Sequence, residues 1–101
     1  MIKHYCVVRE DLPLGIQAAM LVHAAGESGP AVTGTTAVVL GVPNETALRR
    51  LIIALNYSNA SYTVIKEPDP PWNGQTMAIG IAPTDSRIPI LNRYQLLRRS
   101  L

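Results

Sequence analysis

The apolar positions of this chain fall into short β-favouring runs and longer stretches with helical spacing. The run His-Tyr-Cys-Val-Val at residues 4–8 ends at a charged turn that begins with Arg9, and it predicts a first strand. Further runs of this kind predict strands at residues 35–42, 61–66 and 77–82. These short strands indicate that a β-sheet forms the centre of the fold.

Two segments between the strands have the composition and spacing of helices. Residues 15–27 are rich in Ala, Leu, Met and Gln, and apolar side chains occur on nearly every face of the predicted helix. Such a helix is expected to pack on both sides. The second helix is predicted to follow Asn44 as its N-cap, because apolar residues repeat at helical spacing over residues 48–55. A last short helix or turn is predicted over residues 91–97.

The predicted order is β-α-β-α-β-β with a helical tail. Alternation of strands and helices predicts an α/β fold with a four-stranded mixed sheet flanked by α-helices. The 101 residues are enough for one domain, which we expect to cover residues 1–101.

Charged residues make up 16% of the chain, well below the usual quarter. The surface is therefore either rich in small and polar residues or partly covered by a second subunit, so a homodimer is a possible assembly. No stretch approaches the roughly 20 apolar residues that span a bilayer, and charges near Lys3 and Arg9 interrupt any signal sequence. We expect a cytoplasmic protein without membrane contact. The single cysteine, Cys6, excludes an internal disulfide and is interpreted as a buried, inert thiol.

Basic residues are concentrated towards the end of the sequence. No acidic residue follows Asp85, whereas four arginines do: Arg87, Arg93, Arg98 and Arg99. This pattern suits binding to a polyanion. It is more typical of a solvated helix end, where arginines complement the helix dipole.

A series of short motifs occurs in one order along almost the whole chain. They are Val7-Val8-Arg9, Asp11-Leu12, Gly15, Ala18-Ala19, His23-Ala24-Ala25, the helix start Pro43-Asn44-Glu45-Thr46, Lys66-Glu67, Gly74-x-Thr76, Ile79-Gly80-Ile81-Ala82-Pro83 and Tyr94-Gln95-Leu96-Leu97. Together they resemble the peptidyl-tRNA hydrolase 2 family of bacteria and archaea.

The resemblance implies a four-stranded mixed sheet flanked by helices, often in a dimer. It also implies an activity: hydrolysis of the ester that joins a peptide to the 3′-terminal ribose of tRNA, without metal or organic cofactor. The expected partner is then the acceptor end of tRNA. Two alternatives stay open. One is an inactive protein on the same scaffold that binds a nucleotide, an RNA end or a protein partner, and the other is a dimeric structural subunit.

Several positions depart from the family pattern. The family enters its first helix through a loop with a functional lysine, but here the loop is shorter and Ile16 or Gln17 occupies that place. Met20 stands where the family has a glutamine. The family aspartate after the third strand is also missing, and either Glu67 or Asp69 could replace it. These departures favour the alternative of a scaffold that has lost hydrolysis.

Ester hydrolysis needs a positioned water, a group that accepts its proton and donors for the developing oxyanion. The resemblance and the polar residues at the predicted strand ends give two groups of candidates. Those with an expected catalytic role are Asp11, Gln17, Glu67, Asp69 and Thr76. Those with an expected role in substrate binding are Arg9, Gly15, His23, Lys66, Trp72 and Gly74.

The main candidates also have structural interpretations. Asp11 could cap the first helix, and His23 could be a structural residue of that helix. Glu67 and Asp69 could be a solvated pair that forms a turn. Trp72 could stack on the terminal adenine, or it could cover the edge of the core or a dimer contact.

Overall fold

A computed structural model describes residues 1–30 and 32–98, and this part of the chain forms an α/β domain with two α-helices and one mixed five-stranded sheet. In chain order the elements are β1 (Lys3–Arg9), α1 (Leu14–Ser28), β2 (Thr36–Val42), α2 (Glu45–Asn56), β3 (Tyr62–Glu67), β4 (Gln75–Ile81), a 3₁₀ helix (Pro89–Arg93) and β5 (Gln95–Leu96). The predicted order of the first six elements is confirmed.

The strands lie in the order β3-β4-β1-β2-β5. β1 and β2 are parallel and are joined by α1, whereas β4 runs antiparallel to both of its neighbours, β1 and β3. The carboxyl ends of β1 and β2 therefore lie at the same end of the sheet as the start of β4. The polar residues of the candidate site, described below, lie at this end of the sheet.

The end of the chain corrects two predictions. The sheet has five strands rather than four. The 3₁₀ helix agrees with the predicted short helix or turn at Leu91, but residues 95 and 96 form β5 instead of continuing it. Leu91 in the 3₁₀ helix is buried in the core, and Tyr94 then turns the backbone to an extended conformation. Leu96 pairs with Leu40 of β2 across an antiparallel ladder. Of the four terminal arginines, Arg99 lies outside the described residues.

Alternating side chains of the sheet fill a hydrophobic cluster on each face. On one face, Val7 and Ile79 pack against leucines of α2 and Leu91. On the other face, Cys6 and Met77 pack against α1. Burial raises the pKa of the Cys6 thiol, which keeps it in the unreactive protonated form at neutral pH.

Helix α1 packs on one side only, so the prediction of packing on both sides is wrong. Its buried residues are Met20, Ala24 and Ser28, whereas Leu14 and Val22 are 79% and 73% exposed. Within the described part of the single chain, no second layer covers this outer face, which consists of small and aliphatic residues. None of the helices within residues 1–30 and 32–98 is long and apolar enough to cross a membrane.

Candidate functional site

The candidate site lies where β1 and β2 end and β4 begins. In α/β folds, binding and catalytic groups commonly lie at the carboxyl ends of parallel strands. Here the last residue pair of the β1–β4 ladder is Val8 with Ala78. Arg9, which follows Val8, and the residues that precede Ala78 in β4 lie beyond this ladder. The side chain of Arg9 occupies the space beside the start of β4.

Arg9 is only 6% exposed, and its guanidinium group makes four hydrogen bonds. Nε and Nη2 donate to the two carboxylate oxygens of Asp11 at 2.7 and 2.8 Å. Nη1 donates to Oε1 of Gln75 at 2.7 Å and to the carbonyl oxygen of Thr76 at 3.2 Å. A buried charge is tolerated only when it is paired in this way. Arg9 therefore joins the end of β1 to the start of β4.

Asp11 faces both Arg9 and solvent, with a side chain that is 39% exposed. Hydrogen bonding and the positive charge of Arg9 hold the pKa of the Asp11 carboxyl below its ordinary range. Asp11 is thus ionised at neutral pH and can accept hydrogen bonds from a water or a ligand. It does not cap α1, since Pro13 is the N-cap residue of that helix and no side chain caps it.

The main-chain amide of Thr76 is held by a residue distant in sequence. Its N–H donates to Oε2 of Glu45, in the first turn of α2, at 2.7 Å. Both main-chain polar groups of Thr76 are then satisfied by side chains, Glu45 on the amide and Arg9 on the carbonyl. Thr76 itself is buried, so its side chain is not open to solvent.

Gln17 lies next to this group but serves the loop. Its amide nitrogen donates to the carbonyl oxygens of Leu12 at 2.8 Å and Glu10 at 3.3 Å. These bonds fix the turn that carries Asp11, so the Gln17 amide nitrogen is already occupied. Gly15, in the first turn of α1, is exposed and has open space around it.

The last residue of β3 and the connection from β3 to β4 together carry four of the candidates. The Glu67 carboxylate accepts a hydrogen bond from the amide of Asp69 at 3.2 Å, as expected for a turn-forming pair. Gly74 has a φ of 89° that favours glycine, and its N–H donates to the carbonyl of Glu67 at 2.7 Å. Among the described residues, Glu67 and Asp69 make no hydrogen bond or ion pair with Arg9.

Trp72 borders the Arg9–Asp11 pair from the same connection. The guanidinium carbon of Arg9 lies 5.7 Å from the centroid of the indole ring, within the range of a cation–π contact. The half-buried ring also packs against the cluster that contains Ile65 and Met77. This arrangement agrees with the interpretation that Trp72 covers the core edge, and it leaves part of the ring accessible beside Asp11.

His23 and Lys66 lie in a different place. They line a groove of about 360 Å³ between α1 and β3, together with Glu27 and Glu67. The His23 side chain is 60% exposed, and its Nδ1 lies 3.4 Å from a carboxylate oxygen of Glu27. His23 is thus a surface residue, neither buried in the core nor paired with Asp11.

The structure therefore brings together Arg9, Asp11, Gln17, Trp72 and Thr76, and it adds Glu45 and Gln75, which sequence reasoning missed. Glu45 could have been noticed as an acidic residue directly after the N-cap Asn44, at the end of a strand parallel to β1. Gln75 is the unassigned position of the Gly74-x-Thr76 motif.

The chain matches no known protein family and no curated protein.

Proposed function

We propose that this protein hydrolyses the ester between a peptide or blocked amino acid and the 3′-terminal ribose of tRNA. The proposal rests on the resemblance of the ordered motifs, and the observation that carries it is the Arg9–Asp11 pair. An ionised carboxylate with two fixed hydrogen bonds faces solvent at the carboxyl ends of β1 and β2. This is the group in the cluster that is suited to orient a water molecule.

In the proposed reaction the Asp11 carboxylate accepts a proton from water as the water oxygen attacks the ester carbonyl carbon. The tetrahedral intermediate then breaks its bond to the ribose oxygen, and this oxygen takes the proton back from Asp11. The products are a carboxylic acid and a tRNA with a free terminal hydroxyl. Trp72, which contacts Arg9 of the pair, offers an aromatic surface on which the terminal adenine can stack.

A matched pair of carboxylate substitutions tests this assignment. Asp11→Asn keeps the shape of the side chain and removes the proton acceptor, and loss of a general base typically slows a reaction by about 10² to 10⁴-fold. Glu27→Gln changes an exposed carboxylate on α1 by the same chemistry and should leave turnover of an N-acetyl-aminoacyl-tRNA unchanged. Equal rates for Asp11→Asn and the unsubstituted protein would remove Asp11 from the mechanism.

A second candidate is a protein that binds the RNA end without hydrolysing it. Three observations favour it. The Arg9 donors and the Gln17 amide nitrogen are used within the protein, and Arg9 lowers the pKa of Asp11. A general base works best when its pKa lies near the working pH. Binding of deacylated tRNA by a protein that gives no turnover, with or without Asp11→Asn, would establish this candidate.

A further inference from the structure

Charged residues divide unequally between the two faces of the sheet. Exposed Arg49 and Arg50 lie on α2, and exposed Arg87 and Arg93 lie on the segment that follows β4. This segment and α2 are on the same face, because Leu91 and the leucines of α2 belong to one hydrophobic cluster.

The acidic residues are distributed differently. Glu10 lies over Gly41, and Glu27 and Glu67 line the groove beside α1, all on the opposite face. Asp85 and Glu45 lie on the α2 face, and Glu45 accepts the Thr76 amide close to Arg9. The α2 face is therefore basic, with arginine as its exposed cation.

A cleft of about 570 Å³ opens at one end of this basic face. It lies between residues 57–61 and the segment after β4, and its volume is in the range of small-ligand sites. Ile81 and Ile88 give it apolar walls. Tyr57, which is 89% exposed, and Arg87 also line it, so that an aromatic ring and a cation share one cleft.

We propose that the α2 face binds an RNA strand, with phosphates on Arg49, Arg50, Arg87 and Arg93 and a base stacked on Tyr57 in the cleft. This inference rests on the proposed function, since it names the surface that would hold the tRNA on which Asp11 acts. The planar guanidinium group matches the geometry of phosphate oxygens, and an exposed aromatic ring accepts an unpaired base of any identity. Ile53 is exposed on α2, but a concave cleft walled by Tyr57 and Arg87 fits a flat base and not a membrane surface.

The cleft and Asp11 lie at opposite ends of β1, because β1 begins beside Thr84 and ends at Arg9. Seven strand residues span about 23 Å at roughly 3.3 Å per residue. Stacked nucleotides advance by about 3.4 Å, so about seven of them cover this distance. An RNA strand on the α2 face can thus extend from the cleft to the Arg9–Asp11 pair.

Fluorescence anisotropy with a labelled single-stranded RNA of about ten nucleotides tests the surface, since this length exceeds the span along β1. The dependence of log affinity on log salt concentration has a slope of about −0.7 per phosphate neutralised on a single strand. Arg49→Ala combined with Arg50→Ala should therefore reduce the slope by about 1.4. Tyr57→Ser should weaken binding about tenfold with little change of slope, because it removes stacking and no charge.

The control distinguishes binding of RNA at this surface from a general effect of the protein's net charge. Arg50→Ala combined with Glu27→Gln has the net charge of the unsubstituted protein, because the second change removes an acid from the opposite face. It should bind RNA as weakly as Arg50→Ala alone. Recovery of affinity by Glu27→Gln would overturn the proposal, and so would RNA affinity that is unchanged in the arginine variants. Binding to phosphatidylserine vesicles through these arginines, without binding to RNA, would overturn it as well.

A second pair of measurements distinguishes failure of this surface from failure of the proposed function. N-acetyl-aminoacyl-adenosine has the ester but no chain that reaches α2, whereas N-acetyl-aminoacyl-tRNA has both. The arginine variants should raise KM for the tRNA ester and leave turnover of the adenosine ester unchanged. Equal effects on both substrates would overturn RNA binding by the α2 face and would leave the proposed hydrolysis intact. RNA binding that depends on the arginines, with neither ester hydrolysed, would support the surface and overturn the hydrolase.

Discussion

Nε2 of His4 lies 2.7 Å from Oγ of Ser28, so the first strand and the last turn of α1 are joined by a side-chain hydrogen bond. Ser28 is buried, and its hydroxyl also lies directly over Gly80 of β4. A Cβ atom on Gly80 would come within 2.5 Å of the Ser28 hydroxyl oxygen and 2.7 Å of its Cβ. The end of α1 therefore packs as closely on the sheet as a glycine allows.

Two Gly→Ala substitutions test this close approach. Gly80→Ala should reduce the free energy of unfolding by about 1–3 kcal/mol, because backbone and Ser28 must move apart to admit the methyl group. Gly26→Ala, in α1, is the matched control: no atom lies within 4 Å of its added Cβ, and alanine favours helix by about 1 kcal/mol. In urea denaturation, the midpoint of Gly80→Ala should lie below that of the unsubstituted protein and the midpoint of Gly26→Ala above it. Similar midpoints for both would contradict the packing.

The Arg9–Asp11 pair predicts a specific dependence of stability on pH. The folded pKa of Asp11 is below its unfolded value of about 4, so the pair stabilises the fold fully above that pH. The contribution is lost as the pH falls through the folded pKa. The difference in unfolding free energy between the unsubstituted protein and Asp11→Asn should thus be constant from pH 5 to pH 7 and shrink below about pH 4. A difference of equal size at pH 3 and pH 7 would show that the ion pair does not form.

The hydrogen bond from Thr76 to Glu45 predicts different effects for two substitutions at one position. Glu45→Ala leaves the Thr76 amide without its acceptor and should cost about 1–3 kcal/mol. Glu45→Gln keeps an acceptor oxygen and should cost less. Thr46→Ala, at the neighbouring exposed position, should change stability by no more than about 0.5 kcal/mol. Thermal denaturation of the three variants measures this order, and equal losses for Ala and Gln would exclude the bond.

The outer face of α1 gives a test of the expected homodimer. If Leu14 and Val22 form the contact between subunits, light scattering should give twice the chain mass of 11.0 kDa. Val22→Lys should then give a monomer with unchanged stability of the fold, because Val22 contacts solvent in the single chain. A mass of 11.0 kDa for the unsubstituted protein would remove this assembly.

The sequence predicted the first six elements well, because each has a strong local signal. Asn44 is an example: its side chain accepts a hydrogen bond from the amide of Ala47, as expected for an N-cap. The two-residue strand β5 has no such signal, since Gln95 and Leu96 are exposed and form a strand only by pairing with β2. Tertiary pairing, not local preference, decides its conformation.

The sequence predicted only the part of the candidate site that depends on residues close together in the chain. Arg9 and Asp11 are two positions apart, so their proximity follows from the strand end that carries them. The contacts of Arg9 with Gln75 and of Glu45 with Thr76 join residues 66 and 31 positions apart, which only the folded sheet brings together. The direction of the Gln17 amide depends on the rotation of α1 after the short loop, and a shift of one residue changes it by about 100°.

Whether the protein is a hydrolase is decided by the release of a labelled N-acetyl-aminoacyl group from tRNA by the purified protein, with EDTA present. We expect turnover above the uncatalysed rate, lowered at least about 100-fold by Asp11→Asn and unchanged by Glu27→Gln. No turnover by the unsubstituted protein, under conditions in which it binds the same tRNA, would contradict a hydrolase and leave a protein that binds the RNA end.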